Sequence, residues 1–197
     1  MTAGELRQEV YKTLMKERVL AYPYPPFGHH PNFIGAAKAA TNLLEHCLKT
    51  QILKPSDTIY AFPDYVLRPL RRDLLRAGIH VIVPAKYGKG FRFLDATKVD
   101  AKKASSIAGA EKEGELVNEL PSVKLCVLAC VAVTKEGKML YKGYGPDIPE
   151  SLACQRRATL VHPLQIVENL TSASHTVELF ATPQKVSNLS AERYNKP

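Results

Sequence analysis

A chain of 197 residues with 27 basic and 19 acidic side chains carries a formal charge of +8, which suits an anionic partner such as a nucleotide or nucleic acid and equally serves solubility. The length fits one domain with one good core, and the 45% hydrophobic and 23% charged fractions are ordinary for a globular protein. No apolar run approaches the roughly 20 residues of a membrane span, and the start from Met1 to Arg7 is too polar for a secretory signal, so a cytoplasmic protein is expected.

Thr2 and Glu5 have capping-box spacing, and Leu6, Val10 and Leu14 recur every four residues, which predicts an amphipathic first helix. The prolines between Tyr22 and Gly28 must break it. Phe33, Ala36, Ala37, Ala40, Leu44, Cys47 and Leu48 line one face of a second helix. Pro55-Ser56-Asp57 is a turn, followed by a strand from Thr58 to Phe62, a helix from Arg68 to Ala77 that ends at Gly78, and a strand from His80 to Pro84. That order makes a βαβ-like unit. A short strand is expected at Phe91 to Leu94, with surface helix and loop from Asp95 to Glu119. The uncharged, β-branched run from Leu125 to Val133 reads as one central strand buried on both faces. A short helix over Glu150 to Arg156 and strands near Ala158 to Val161 and Val177 to Ala181 complete a domain of residues 1–186. Residues 187–197 are expected to form a loose polar tail. Alternating strands and helices give an α/β class.

The four cysteines, Cys47, Cys126, Cys130 and Cys154, lack zinc-knuckle spacing and are read as reduced thiols, Cys126 and Cys130 buried in the central strand. His29 and His30 lie in a Pro-rich setting without an acidic or thiol residue at a familiar ligand spacing, and are expected to be backbone-bonded or solvent-facing. Arg68, Arg71, Arg72 and Arg76 sit on one helix and are expected to be solvated, since no aromatic partners or recognised nucleic-acid module accompany them.

After the apolar run comes Lys142-Gly143-Tyr144-Gly145-Pro146-Asp147. Glycines let backbone N–H groups turn toward an anion, a lysine adds a point charge, and an aspartate can hold magnesium. The segment is therefore a candidate phosphate site, with an ordinary turn as the alternative.

With its flanks, this stretch resembles the 5-formyltetrahydrofolate cyclo-ligase (methenyltetrahydrofolate synthetase) family, and in particular its methenyltetrahydrofolate synthetase domain-containing branch. Pro31-Asn32-Phe33-Ile34-Gly35, the unit from Thr58 to Pro84, Thr159 to Gln165 and Ala181-Thr182-Pro183 carry the same resemblance over nearly the whole chain. It implies a three-layer α/β/α sandwich related to the ribose-5-phosphate isomerase and CoA-transferase group, with ATP and Mg²⁺ as co-reactants. It further implies phosphorylation of the formyl oxygen of 5-formyltetrahydrofolate, attack by a second folate nitrogen, and loss of phosphate to leave 5,10-methenyltetrahydrofolate. A polyglutamylated folate would also suit the positive charge.

By the same resemblance, Lys142 is the expected catalytic cation, and Arg7, Lys142, Gly143, Tyr144 and Gly145 bind the nucleotide. Asp147 holds the metal, and Asp64 contacts the folate. A solvated charge is the alternative for Arg7, and a helix cap for Asp64. The resemblance also implies that Asn32 starts the second helix, that Phe33 packs or covers a ligand, and that His162 falls beside the pocket in a structural hydrogen bond. The sequence departs from the family pattern at Ala3 for a lysine, Met139 for an arginine, Tyr141 for a glycine and Pro146 for a tyrosine, with Lys138 or Lys89 as replacement cations. A catalytically divergent relative that binds a nucleotide, a folate-like ligand or RNA is the second expectation, and an assembly role the third. The oligomeric state is left open.

Overall fold

A computed structural model describes residues 1–145 and 147–190. Helix α1 (Ala3–Lys16) starts in the expected capping box, with Thr2 Oγ1 accepting from the Glu5 N–H and Glu5 accepting from the Thr2 N–H. Its buried stripe is Val10, Tyr11 and Leu14. The Pro-rich segment forms no helix, and an isolated antiparallel bridge joins Leu20 to Phe33.

Helix α2 (Ala36–Lys49) begins later than the sequence suggests, with Gly35 at its N-cap in the left-handed region (φ 99°). Asn32 does not start it; its side chain donates to Tyr22 O and accepts from Phe33 N. The shift sets the apolar stripe at Ala36, Ala39, Ala40, Leu43, Leu44 and Cys47, and leaves Ala37 and Leu48 exposed. Phe33 packs edge-on against His162, ring centroids 5.8 Å apart.

The βαβ unit forms as expected from β1 (Thr58–Ala61), α3 (Arg68–Arg76) and β2 (His80–Pro84), with β1 and β2 parallel. Strand β3 (Phe91–Leu94) returns antiparallel to β2. The expected surface segment holds α4 (Ala101–Ala104) and α5 (Ile107–Glu113), and also a short edge strand, β4 (Glu115–Val117).

The apolar run is not one strand. Val123–Leu128 forms β5, the chain leaves the sheet over residues 129–131, and Ala132–Thr134 forms β6 in a second sheet. Hydrophobicity could not mark the break, because Ala129, Cys130 and Val131 are as buried as the strands they join. Strand β7 (Lys138–Leu140) pairs back on β6. The expected helix over Glu150 to Arg156 is absent: Cys154–Leu160 is β8, parallel to β5 from the Val123–Cys154 pair onward. Pairing with a buried neighbour overrides the helix-like polarity of Gln155, Arg156 and Arg157. The chain continues through β9 (Ile166–Val167), β10 (His175–Thr176), β11 (Leu179–Ala181) and β12 (Val186–Asn188). Ser187, expected to open the tail, pairs with Phe180 in the sheet. Of the expected tail, residues 191–197 lie outside the described residues.

The main sheet runs β12-β11-β8-β5-β1-β2-β3-β4, parallel from β11 to β2 and antiparallel at both edges. The central strands' apolar character follows from burial on both faces. Helices flank this sheet, so the fold is the expected α/β sandwich; the second sheet, β10-β7-β6-β9, was not anticipated. Helix α1 shares a separate apolar cluster with Val131, Ala132 and Leu140 of that second sheet's segment. All four cysteines are free, with Cys154 only partly buried. Among the described residues no helix is long and apolar enough to cross a membrane.

Candidate functional site

The glycine loop follows β7 directly. The backbone of Tyr141 is held at both ends: its N–H donates to Ser174 Oγ at 3.2 Å, and its carbonyl accepts from Arg7 Nε at 2.6 Å. Arg7 therefore arrives from the first helix onto a loop 134 residues away in sequence. Gly143 and Gly145 have φ of 105° and 100°, a region L side chains rarely adopt. A Cβ on Gly143 would lie 3.5–3.7 Å from the Arg7 guanidinium. Lys142 Nζ stands 5.1 Å from the centre of the Tyr144 ring, and the Tyr144 hydroxyl donates to Gly28 O at 2.6 Å. Arg7 and Lys142 make no ion pair with a carboxylate among the described residues. Five of the expected site residues, Arg7 and 142–145, thus converge.

Asp64 follows the carboxyl end of β1, where open α/β sheets place ligands. It stands before a 3-10 turn (Tyr65–Leu67), yet its side chain makes no capping bond. Instead Oδ1 meets His30 Nδ1 at 2.9 Å, while His30 Nε2 accepts from the Lys142 N–H at 3.3 Å. An acceptor at Nε2 places the ring proton on Nδ1, so His30 donates to Asp64. His30 is 4% exposed and backbone-bonded through the Lys142 N–H, and His29 faces outward, so the pair divides between the two expected alternatives; the Asp64 partner is the addition. Burial works to raise the Asp64 carboxyl, but the His30 hydrogen bond, with the electrostatic pull of His30, Lys142 and Arg71, outweighs it and holds the group below its ordinary range.

Arg71 departs from the expected solvated face. It is 2% exposed and donates to Phe62 O at 2.6 Å, Asp64 O at 3.0 Å and Ser105 O at 3.0 Å. Its helical spacing with Arg68 and Arg72 gave no sign that it points inward. The fold also supplies the aromatic partners the sequence lacked. Tyr22 and Tyr65 pack edge-on at 5.0 Å and line a surface cleft of about 430 Å³ with Arg68, Arg72 and Lys102.

Asp147 is 64% exposed at its side chain, meets His175 Nε2 at 2.6 Å and accepts from the Ile148 N–H. No group of three or more His, Cys, Asp or Glu capable of holding a metal occurs among the described residues. A closed magnesium cage therefore does not fit. One exposed carboxylate fits magnesium that arrives with nucleotide phosphates and keeps most of its waters.

The departures from the motif read differently in three dimensions. Met139 is fully buried within β7, opposite His175. Ala3 lies one turn before Arg7 on α1. Lys138 is exposed and starts β7, about 13 Å along an extended chain from Lys142. Pro146 lies outside the described residues. Tyr141 turns inward: its ring meets Phe62 at 5.6 Å, His30 at 5.5 Å and His175 at 4.9 Å. His162 is structural, as expected, with Nδ1 accepting from the Leu164 N–H.

Sequence reasoning missed His30, His175 and Arg157 as members of this neighbourhood. Arg157 stands opposite Cys126 in the β5–β8 ladder and acts electrostatically on Tyr141. A strand assignment through 154–160 was the only signal that could have found it.

No family profile matches the chain. It is 26% identical over 210 residues to the methenyltetrahydrofolate synthase domain-containing protein of Bos taurus, a match that covers 96% of this chain and 54% of the relative. The chain thus spans about half the length of that curated relative. Its fold is similar to the NMR structure of Aquifex aeolicus 5,10-methenyltetrahydrofolate synthetase, with a TM-score of 0.54, 17% identity and 93% of both chains covered.

Proposed function

We propose, from the premise that this chain is a relative of the methenyltetrahydrofolate synthetase family, that it binds ATP at the Lys142–Gly145 loop and cyclises 5-formyltetrahydrofolate to 5,10-methenyltetrahydrofolate. The observation that carries the phosphate half is the meeting of Arg7 and Lys142, neither held by a carboxylate, over two glycines in the left-handed region. Backbone N–H groups and two cations suit phosphate oxygens.

In this reading the formyl oxygen takes the terminal phosphoryl group of ATP and ADP leaves. A second folate nitrogen then attacks the activated carbon, and inorganic phosphate departs. Lys142 neutralises charge on the transferred group, and Arg7 with the Gly143–Gly145 backbone orients it; such transfers depend on positioning and charge neutralisation. Tyr144 pins the loop through Gly28. Asp147 is the residue that would hold magnesium, which when bound neutralises phosphate charge. Asp64 is the proposed pterin-facing carboxylate, with one oxygen committed to His30. A cytoplasmic location belongs to the same proposal.

The test is the rise in methenyltetrahydrofolate absorbance with purified protein, ATP, magnesium and 5-formyltetrahydrofolate. Turnover is expected to be weak, since loss of one preorganised donor costs on the order of 10²–10³ in rate, and the arginine and lysine expected of the family are Met139 and Ala3 here. No ATP-dependent product at any enzyme concentration would sink the reaction. A second reading, a non-catalytic binder of nucleotide or RNA, is favoured by the Tyr22–Tyr65 pair beside Arg68 and Arg72. Stacking faces next to cations suit single strands.

A further inference from the structure

The Pro-rich segment before α2 is tied to both halves of the site, and helix α1 holds it in place. Phe27 packs edge-on against Tyr11, ring centroids 5.6 Å apart, and the Tyr11 hydroxyl donates to His29 O at 2.9 Å. The same helix sends Arg7 to the Tyr141 carbonyl. Gly28 has φ of 80°, and a methyl group there would fall onto the Tyr144 hydroxyl, which donates to the Gly28 carbonyl.

His30 carries the link. Its ring is 4% exposed and is walled by Tyr141 at 5.5 Å and Phe62 at 6.4 Å, so both nitrogens have fixed directions. Nδ1–H donates to Asp64 at 2.9 Å, and Nε2 accepts from the Lys142 N–H at 3.3 Å. A neutral imidazole offers a donor on one edge and an acceptor on the other, which no other side chain does at that spacing. The Asp64 carboxylate keeps the proton on Nδ1 and thereby leaves the Nε2 lone pair for the loop. Without that lone pair the part-buried Lys142 N–H loses its acceptor.

We propose that His30 is the positioning residue of the phosphate loop, tying Lys142 to the carboxyl end of β1 with its own tautomer set by Asp64. It acts through the Lys142 backbone and not on a ligand. The Lys142 N–H is spent inward, which leaves the backbone of residues 143–145 for phosphate. The consequence for ATP rests on the proposed phosphate site.

The test separates the two nitrogens. An asparagine amide reaches about as far as Nδ1, and a glutamine amide about as far as Nε2. His30→Asn therefore keeps a donor for Asp64 and gives up the loop, while His30→Gln keeps an acceptor for the loop and gives up Asp64. Three quantities are measured in the parent and both variants: urea unfolding, calorimetric affinity for MgATP, and the rate of tryptic cleavage after Lys142, read by mass. Cleavage after Lys124, within β5, serves as the control for global unfolding. His30→Gln is expected to be the less stable variant, because it loses the bond to a charged group. His30→Asn is expected to bind ATP about 3- to 10-fold more weakly, the loss of one hydrogen bond, and to be cut after Lys142 faster by a similar factor as the loop opens. His30→Gln should stay within about twofold of the parent in both, since its loop bond remains.

Stability and loop behaviour are thus expected to rank the two variants in opposite orders. A histidine that serves packing alone makes affinity and cleavage follow stability, and that result would overturn the inference, as would a loop indifferent to both variants. If the parent binds no ATP, faster cleavage confined to His30→Asn would sustain the positioning role while the phosphate reading falls. ATP binding in the parent with both loop readouts unmoved in the variants would keep the phosphate reading and overturn this one.

Discussion

Two charged regions meet at Lys142 and are built on opposite principles. Around His30, Asp64 and Arg71, every charge is buried and matched: the carboxylate accepts from the imidazole, and the guanidinium from α3 spends its donors on three backbone carbonyls. Around Arg7, Lys142 and the exposed Gly143–Gly145, the cations are half-buried with a backbone carbonyl and an aromatic ring for company. A buried unmatched charge would unfold the protein, so the first region must be complete in itself. A half-buried cation that still reaches water has less of that obligation and can wait for a ligand. The Lys142 N–H bond to His30 joins the two, so the buried set acts as the foundation of the exposed one.

The sharpest way to break this contrast is to place a new cation on the wrong side of it. Met139→Arg restores a motif arginine on paper, but it buries a guanidinium among apolar neighbours. It should cost more than about 4 kcal/mol, enough to leave little folded protein in a urea titration. A folded, active Met139→Arg protein would show that the strand can turn its side chain to the loop.

Arg71→Ala comes next. It strips three carbonyls of their donor, with an expected loss of about 3–5 kcal/mol in chemical denaturation. Nucleotide affinity in the fraction that remains folded should not change. Asp64→Asn should lose about 1.5–3 kcal/mol, the range for a hydrogen bond to a charged group. Its pH signature is separate. Because folding holds the Asp64 carboxyl below its ordinary value, it contributes stability above roughly pH 4, lost as the pH falls through the lower folded-state value. The asparagine variant should flatten that acid limb, and an unchanged limb would remove Asp64 from the buried foundation. The smallest effect on stability, within about 0.5 kcal/mol, is expected for Lys142→Ala, while ATP affinity falls by about 1–3 kcal/mol if the contact is a charged hydrogen bond. The reverse pattern, stability lost and binding kept, would make Lys142 part of the foundation and end the distinction.

What the sequence revealed follows the same line. The capping box, the βαβ unit and the glycine loop are local, so spacing alone finds them. Arg7 was found through the resemblance and is placed by a contact spanning most of the chain. The His30–Asp64 pair and inward-pointing Arg71 were illegible, because 34 residues separate the first two and nothing in helical spacing separates Arg71 from its solvated neighbours. The split of the apolar run into β5 and β6 escaped for another reason: its crossover is as apolar as the strands. The helix expected at Glu150 failed where a partner strand outweighed local preference.

The edges of the main sheet carry a consequence for the life of the protein in a crowded solution. Its parallel centre is the kind of surface that would template another chain, yet each side closes in an antiparallel strand of three residues, β4 and β12. So short a border exposes few unpaired N–H and C=O groups to a neighbour. Growth of one molecule onto the next by strand addition is thereby discouraged at both ends, and the most adhesive segment, β5, lies three or more strands from either border.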